Sequence, residues 1–171
     1  MRIAACFSGQ VRTMDRCFAS FLEHVKRDYD MDLFGYFLPC QDSQELLDKH
    51  FAKYVLAPDP PLAPNVYESR LGPGTKSVPG LLQQWHAIKR CNELRWEHEI
   101  ATGTAYDIVI RTRPDIRFRT SVALEQIDPM KLYIPKFSNF GGYNDRFAVG
   151  GSRLMDYYSS LCDYVDGYFG G

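Results

Sequence analysis

Apolar positions recur along this chain in two rhythms, and the rhythm changes several times. The segment from Arg2 to Phe7 is apolar after its first residue and stops at Ser8-Gly9. Unbroken apolar character of that length predicts a central strand covered on both faces. From Thr13 onward, Met14, Phe18, Phe21, Leu22 and Val25 recur at helical spacing. Leu33 to Leu38 predicts a second strand, closed by Pro39. Ser43 to Phe51 predicts a short helix with Ser43 as its N-cap, and Tyr54 to Leu56 a third strand. The strongest helical pattern runs from Leu81 to Ile100, with Leu82, Trp85, Ile88, Leu94 and Trp96 near one face. Three further strands are predicted at Tyr106 to Ile110, Leu132 to Ile134 and Arg146 to Val149. Ser152 is placed to cap a last helix, in which Met155, Tyr158, Cys162 and Val165 lie three and four apart.

Strands alternating with helices predict an α/β, Rossmann-like layered fold, with helices around a mostly parallel sheet. One segment breaks the alternation. Ala57 to Gly80 holds six prolines and three glycines, so it reads as a long loop. A loop of that length inside a domain is usually functional or mobile. Neither flank looks complete alone, so residues 1–171 read as a single domain. The residues Tyr168-Phe169-Gly170-Gly171 come directly after the last helix. The expectation is that the domain lacks a C-terminal portion, or that Tyr168 and Phe169 meet a partner.

The 171 residues suffice for a real core, and 45% apolar with 24% charged residues is an ordinary globular balance. A net charge of −1 removes any bulk electrostatic case for nucleic acid or an anionic membrane. Arginines can still cluster locally around a small anion. No apolar run approaches the roughly 20 residues of a spanning helix. The N-terminal segment from Met1 to Gln10 does not read as a secretory signal. Cys6, Cys17, Cys40, Cys91 and Cys162 have neither metal-ligand nor redox spacing. They read as reduced, mostly buried thiols of a cytoplasmic protein.

Ligands of open parallel sheets bind beyond the carboxyl ends of the strands. Three polar groups follow predicted strands directly. In the first, Ser8, Gly9, Gln10 and Arg12 offer small residues, a fixed charge and a following helix N-terminus, which suits an anion. The same turn could be a plain tight one. In the second, Arg111, Arg113 and Asp115 fall on one face if the strand continues, and Pro114 holds Arg113 extended. Either these charges neutralise one another, or the arginines hold a diphosphate while Asp115 holds a bridging divalent cation. In the third, Asn144 and Asp145 lie between Gly141-Gly142 and Gly150-Gly151, either fixing a turn or reaching a reacting centre. Of the histidines His24, His50, His86 and His98, only His86, beside Gln84, Trp85 and Lys89 on the helix after the long loop, stands out.

Three stretches in this order, ACFSGQVRT, YDIVIRTRPDIRF and NDRFAVGGSRLM, resemble the small bacterial and viral glycosyltransferases of the GT-A fold. The resemblance spans nearly the whole chain. It implies a nucleotide-diphosphate sugar donor, a saccharide acceptor, and Mg²⁺ or Mn²⁺ as cofactor. Ser8 to Arg12 would contact the nucleotide, Asp115 would stand in the place of the metal-binding Asp-x-Asp motif, and Asn144 and Asp145 would face the sugar or acceptor. The chain departs from that pattern at Arg113-Pro114-Asp115, which has one carboxylate instead of two. Arginine charge could replace the metal there. Two rival readings are a nucleotidyltransferase, which asks for more clustered carboxylates, and a non-catalytic nucleotide- or sugar-binding domain.

Overall fold

The computed structural model describes residues 1–39, 44–58, 78–137, 139, 143–164 and 167, with backbone only at 78 and 79. Cys40, Ser43, most of the Ala57 to Gly80 segment, Phe140-Gly141-Gly142, Val165, Tyr168 and Phe169 lie outside the described residues. In chain order the elements are β1 (Ile3–Gly9), α1 (Met14–Phe21), β2 (Met31–Phe37), α2 (Gln44–His50), β3 (Lys53–Leu56), α3 (Val78–Thr102), β4 (Ile108–Thr112), β5 (Phe147–Gly150) and α4 (Ser152–Ser159). A wide π-helical turn, Leu22–Lys26, prolongs α1.

Among the described residues the sheet has five strands in the order β3-β2-β1-β4-β5. The first four are parallel, and β5 runs antiparallel to β4. The α/β layered arrangement expected from the sequence is therefore present. Alternate residues of the central strands feed two cores. Ile3, Ala5 and Phe7 of β1 face α1 and α2, and Phe7 meets Phe21 edge-on at 4.8 Å and Phe51 at 5.4 Å. Ala4 and Cys6 face the other way, against Cys91 and Leu94 of α3 and Met155 of α4. Successive connections leave β1 in opposite directions: β1 to β2 to β3 on one side, then through α3 to β4 on the other. That makes the gap between β1 and β4 the switch point of the sheet.

Several expectations change in detail. Leu132 to Ile134 is not a strand. Only Tyr133 bridges Val149 across the edge of β5, with N–H···O bonds of 2.8 and 3.0 Å. The segment lies between the turn that Lys131 closes onto Asp128 and Pro135, which has no N–H with which to extend a ladder. The inward face of α3 is Leu82, Ile88, Cys91 and Leu94, whereas Trp96 is 53% exposed. Ser152 is the first residue of α4 rather than its cap, which is Gly151. Its hydroxyl accepts from Arg95 at 2.7 Å and donates to Glu99 at 3.3 Å, so it serves α3 instead.

Arg95 is fully buried and fully answered. Its guanidinium reaches Asn92 at 3.0 Å, Glu99 at 2.6 Å, Ser152 and Asp156, tying α3 to α4. Arg95→Leu leaves the Glu99 carboxylate largely buried beside no cation, and is expected to cost about 3–5 kcal/mol in urea unfolding. Gly150 and Gly151 are not hinges. A Cβ on Gly151 would stand 2.3 Å from the Pro129 carbonyl oxygen, and one on Gly150 would stand 2.9 Å from that of Lys131. Gly151→Ala is therefore expected to lower stability by about 1–3 kcal/mol, read as a fall in the urea midpoint at unchanged slope.

Candidate functional site

The loops that leave β1 and β4 meet at the switch point. Register brings Cys6 beside Arg111 and Phe7 beside Thr112, so the residues just beyond both strand ends are neighbours. A cleft of about 450 Å³ opens there. Its walls come from the β1 loop (Ser8, Gly9, Gln10, Arg12), the β4 end (Arg111, Arg113, Asp115) and the first turns of α3. All seven of these residues were expected to carry the site, and the fold brings them together.

Gly9 turns the chain at φ 125°, a conformation that strongly favours glycine. The helix that follows offers an anion less than its position suggests. The amides of Met14, Arg16 and Cys17 are already bonded to the Val11 and Thr13 carbonyls. The polar groups that this loop presents to the cleft are side chains instead. Gln10 and Arg12 are exposed at the rim, whereas Ser8 is 2% exposed.

Arg111 is the exceptional group. It lies on the α3 face of β4, 1% exposed, and Nε, Nη1 and Nη2 all lack a hydrogen-bond partner among the described residues. The Ser8 hydroxyl is buried without one too. Burial lowers the pKa of Arg111 from the ordinary arginine value, and Tyr158 and Asp145 partly offset this. A buried donor left unanswered costs about 1–3 kcal/mol, and more when charged. Arg95 shows that this fold can satisfy a buried guanidinium completely.

The neighbouring charges are engaged elsewhere. Arg113 donates to both oxygens of Asp115, from Nε at 2.8 Å and from a terminal nitrogen at 2.6 Å. This bidentate pair raises the pKa of Arg113. The donor set does not fit a divalent cation: Asp115 presents one carboxylate, held at both oxygens by a cation, with Arg111 and Arg12 on the same cleft. Among the described residues no three His, Cys, Asp or Glu side chains converge as a metal site.

Asn144 and Asp145 behave differently from each other. Asn144 is 2% exposed, donates to the Phe137 carbonyl at 2.7 Å and accepts from the Arg146 amide at 2.8 Å. Its amide sets the loop, and the residue lines a second cleft. Asp145 Oδ2 accepts from Gln84 Nε2 at 2.5 Å. Gln84 lines the first cleft, while Asn144 and Asp145 line a second one of about 380 Å³ on the other side of α3's first turns.

Sequence reasoning did not assign Tyr36, Gln83 or Gln84 to the site, although all three line the first cleft. The signal for the glutamines is a polar pair in the first turns of a helix that follows a loop. Tyr36 alternates with Phe34 in β2 and gives no such signal. His86, singled out by its neighbours, does line the cleft, 6.0 Å from the Tyr36 ring at 76°. Burial lowers its pKa, which favours the neutral imidazole.

No helix among the described residues is long and apolar enough to cross a membrane. A comparison with curated proteins finds no match for the chain. A family model does match, over residues 1–160, and its description is a domain of unknown function, DUF7796. With that match covering most of its length, the chain belongs to the DUF7796 family.

Proposed function

We propose that the chain is a GT-A-like glycosyltransferase that holds a nucleotide-diphosphate sugar at the β1–β4 switch point and transfers the sugar to an acceptor hydroxyl. The observation that carries the reading is the buried, unanswered guanidinium of Arg111 in an open cleft. A diphosphate supplies the acceptors that Arg111 and Ser8 lack, and Arg12 and Arg113 add charge at the rim. Tyr36 and His86 offer aromatic surface to a base or sugar on the same walls.

In the proposed reaction a bond forms between the acceptor oxygen and the anomeric carbon. The bond from that carbon to the diphosphate oxygen breaks. The acceptor proton passes to a base, and Asp145 is the carboxylate at the boundary of the two clefts. Negative charge collects on the departing diphosphate, where Arg111 and Arg113 stabilise it without solvent reorganisation. No step is routed through a metal ion.

A non-catalytic nucleotide-binding domain is the second reading. The engagement of Asp115 by Arg113 and of Asp145 by Gln84 favours it, since neither carboxylate stands free in this state. Turnover with a panel of nucleotide sugars separates the two.

Calorimetry is expected to show a nucleoside diphosphate binding at least about tenfold tighter than its monophosphate, and equal affinities would count against the site. Arg111→Met keeps side-chain length and removes the charge. It is expected to raise the stability of the ligand-free protein by about 1–3 kcal/mol while abolishing diphosphate binding. A loss of stability in that variant would mean that Arg111 is structural.

Asp145→Ala should leave diphosphate affinity nearly intact and lower transfer by about 10² or more, measured by nucleoside diphosphate release in the presence of acceptor. A parallel fall in melting temperature, affinity and transfer would instead make Asp145 a turn-fixing residue.

A further inference from the structure

The second cleft has a chemistry of its own. Leu81, Trp85 and Ile88 form one wall from α3, and Tyr143, Tyr158 and Leu161 close around it. Among the described residues no lysine, arginine or histidine lines it, so an anion finds no counter-charge from them and meets Asp145 instead. A cation would meet the Asp145 carboxylate, whose field is shared with Arg111 and Arg113, but would leave the C–H-binding faces and hydroxyls of the cleft unused.

The polar groups ask for donors. Asn139 Nδ2 is bonded to the Lys136 carbonyl at 3.1 Å, but Asn139 Oδ1 is buried with no partner among the described residues. Asp145 gives Oδ2 to Gln84, and Oδ1 has no hydrogen bond among the described residues. The Tyr158 hydroxyl likewise has none among them, and burial raises its pKa, so it stays protonated. The cleft thus combines flat apolar faces, two unfilled acceptors and the hydroxyls of Tyr143, Tyr158 and Ser159. A purely apolar ligand would leave the acceptors unanswered. A polyhydroxylated ring answers both needs, with C–H faces for aromatic side chains and O–H groups for the acceptors.

We propose that this cleft binds a neutral sugar ring, packed on Trp85 and Tyr143, with its hydroxyls donating to Asn139 Oδ1 and Asp145 Oδ1. Binding of the ring stands on the cleft alone. Its role as the acceptor in transfer rests on the reading given under Proposed function. In that role the hydroxyl on Asp145 is the one activated, next to the Gln84 wall that adjoins the first cleft.

The chain has two tryptophans, and Trp96 lines neither cleft, so Trp96→Phe leaves Trp85 as the sole indole reporter. In this background, glucose, galactose, N-acetylglucosamine and their disaccharides are titrated while Trp85 emission is followed, with choline as the cationic control. A saturable change with at least one neutral saccharide, and none with choline, is expected. Asn139→Ala and Tyr143→Ala should each weaken that saccharide about tenfold or more, and Tyr143 is 88% exposed, so its removal does not threaten folding. Adding Arg111→Met should retain saturable saccharide binding while removing diphosphate binding. No response to any saccharide, a stronger response to choline, or indifference to both substitutions would overturn the proposal. Diphosphate binding without saccharide binding overturns this inference alone. Saccharide binding without diphosphate binding overturns only the nucleotide reading.

Discussion

The constraint on which the candidate site depends is a positive charge placed in the middle of a sheet and left without an answer. Arg111 is in register with Cys6 on β1 and faces the layer formed by α3 and α4. A guanidinium there gives up its water, and the fold returns no hydrogen bond among the described residues. Arg95, on α3, has every donor group engaged. The two residues share burial and side chain, and differ only in what surrounds them. Structural need explains Arg95. It does not explain Arg111, whose burial costs stability and whose donors have no partner among the described residues beside the cleft it lines.

The nearby carboxylates do not remove that need. Asp115 could have neutralised Arg111, but Arg113 takes both of its oxygens. Asp145 acts on Arg111 through space, yet its hydrogen bond goes to Gln84. The pairing of Arg113 with Asp115 fixes the first turn after β4 and keeps a second guanidinium at the cleft. A divalent cation in this neighbourhood would have to displace a bidentate arginine and tolerate two more. Arginine charge in the role of the cation is the arrangement more consistent with these side chains.

Much of the layered fold was legible, because apolar runs and helical spacing record burial directly. β1 to β4 and the three principal helices follow from that record. The failures have local causes. Leu132 to Ile134 is apolar enough for a strand, but Pro135 ends its hydrogen bonding after one bridge. Trp96 fits the helical face of α3 by spacing yet points outward, since Arg95 occupies the buried position beside it. At the site, residues adjacent to strand ends were legible because topology alone places them. Gln83 and Gln84 were not, because their position depends on how far α3 extends over the strand ends, and Tyr36 was not, because nothing in the pattern of β2 marks it. The sequence does not say why Gly150-Gly151 are glycines; the close approach of the 129–132 backbone does.

The two clefts are separated by the width of one helix. On α3, Gln84 and Trp85 are consecutive and therefore about 100° apart around the axis, so one faces each cleft. The Gln84–Asp145 hydrogen bond closes the partition between them. A ligand in the second cleft that donates to Asp145 Oδ1 shares one carboxylate with Gln84 on Oδ2, and any shift of Gln84 changes a wall of the first cleft. A diphosphate on Arg111 acts from the other side, because it neutralises the cation that now attracts Asp145. Occupancy of either cleft therefore alters the electrostatic and hydrogen-bonding state of the one residue that both share. Linkage requires that any such effect be reciprocal: if a diphosphate changes the affinity for a ligand in the second cleft, that ligand changes the affinity for the diphosphate by the same factor.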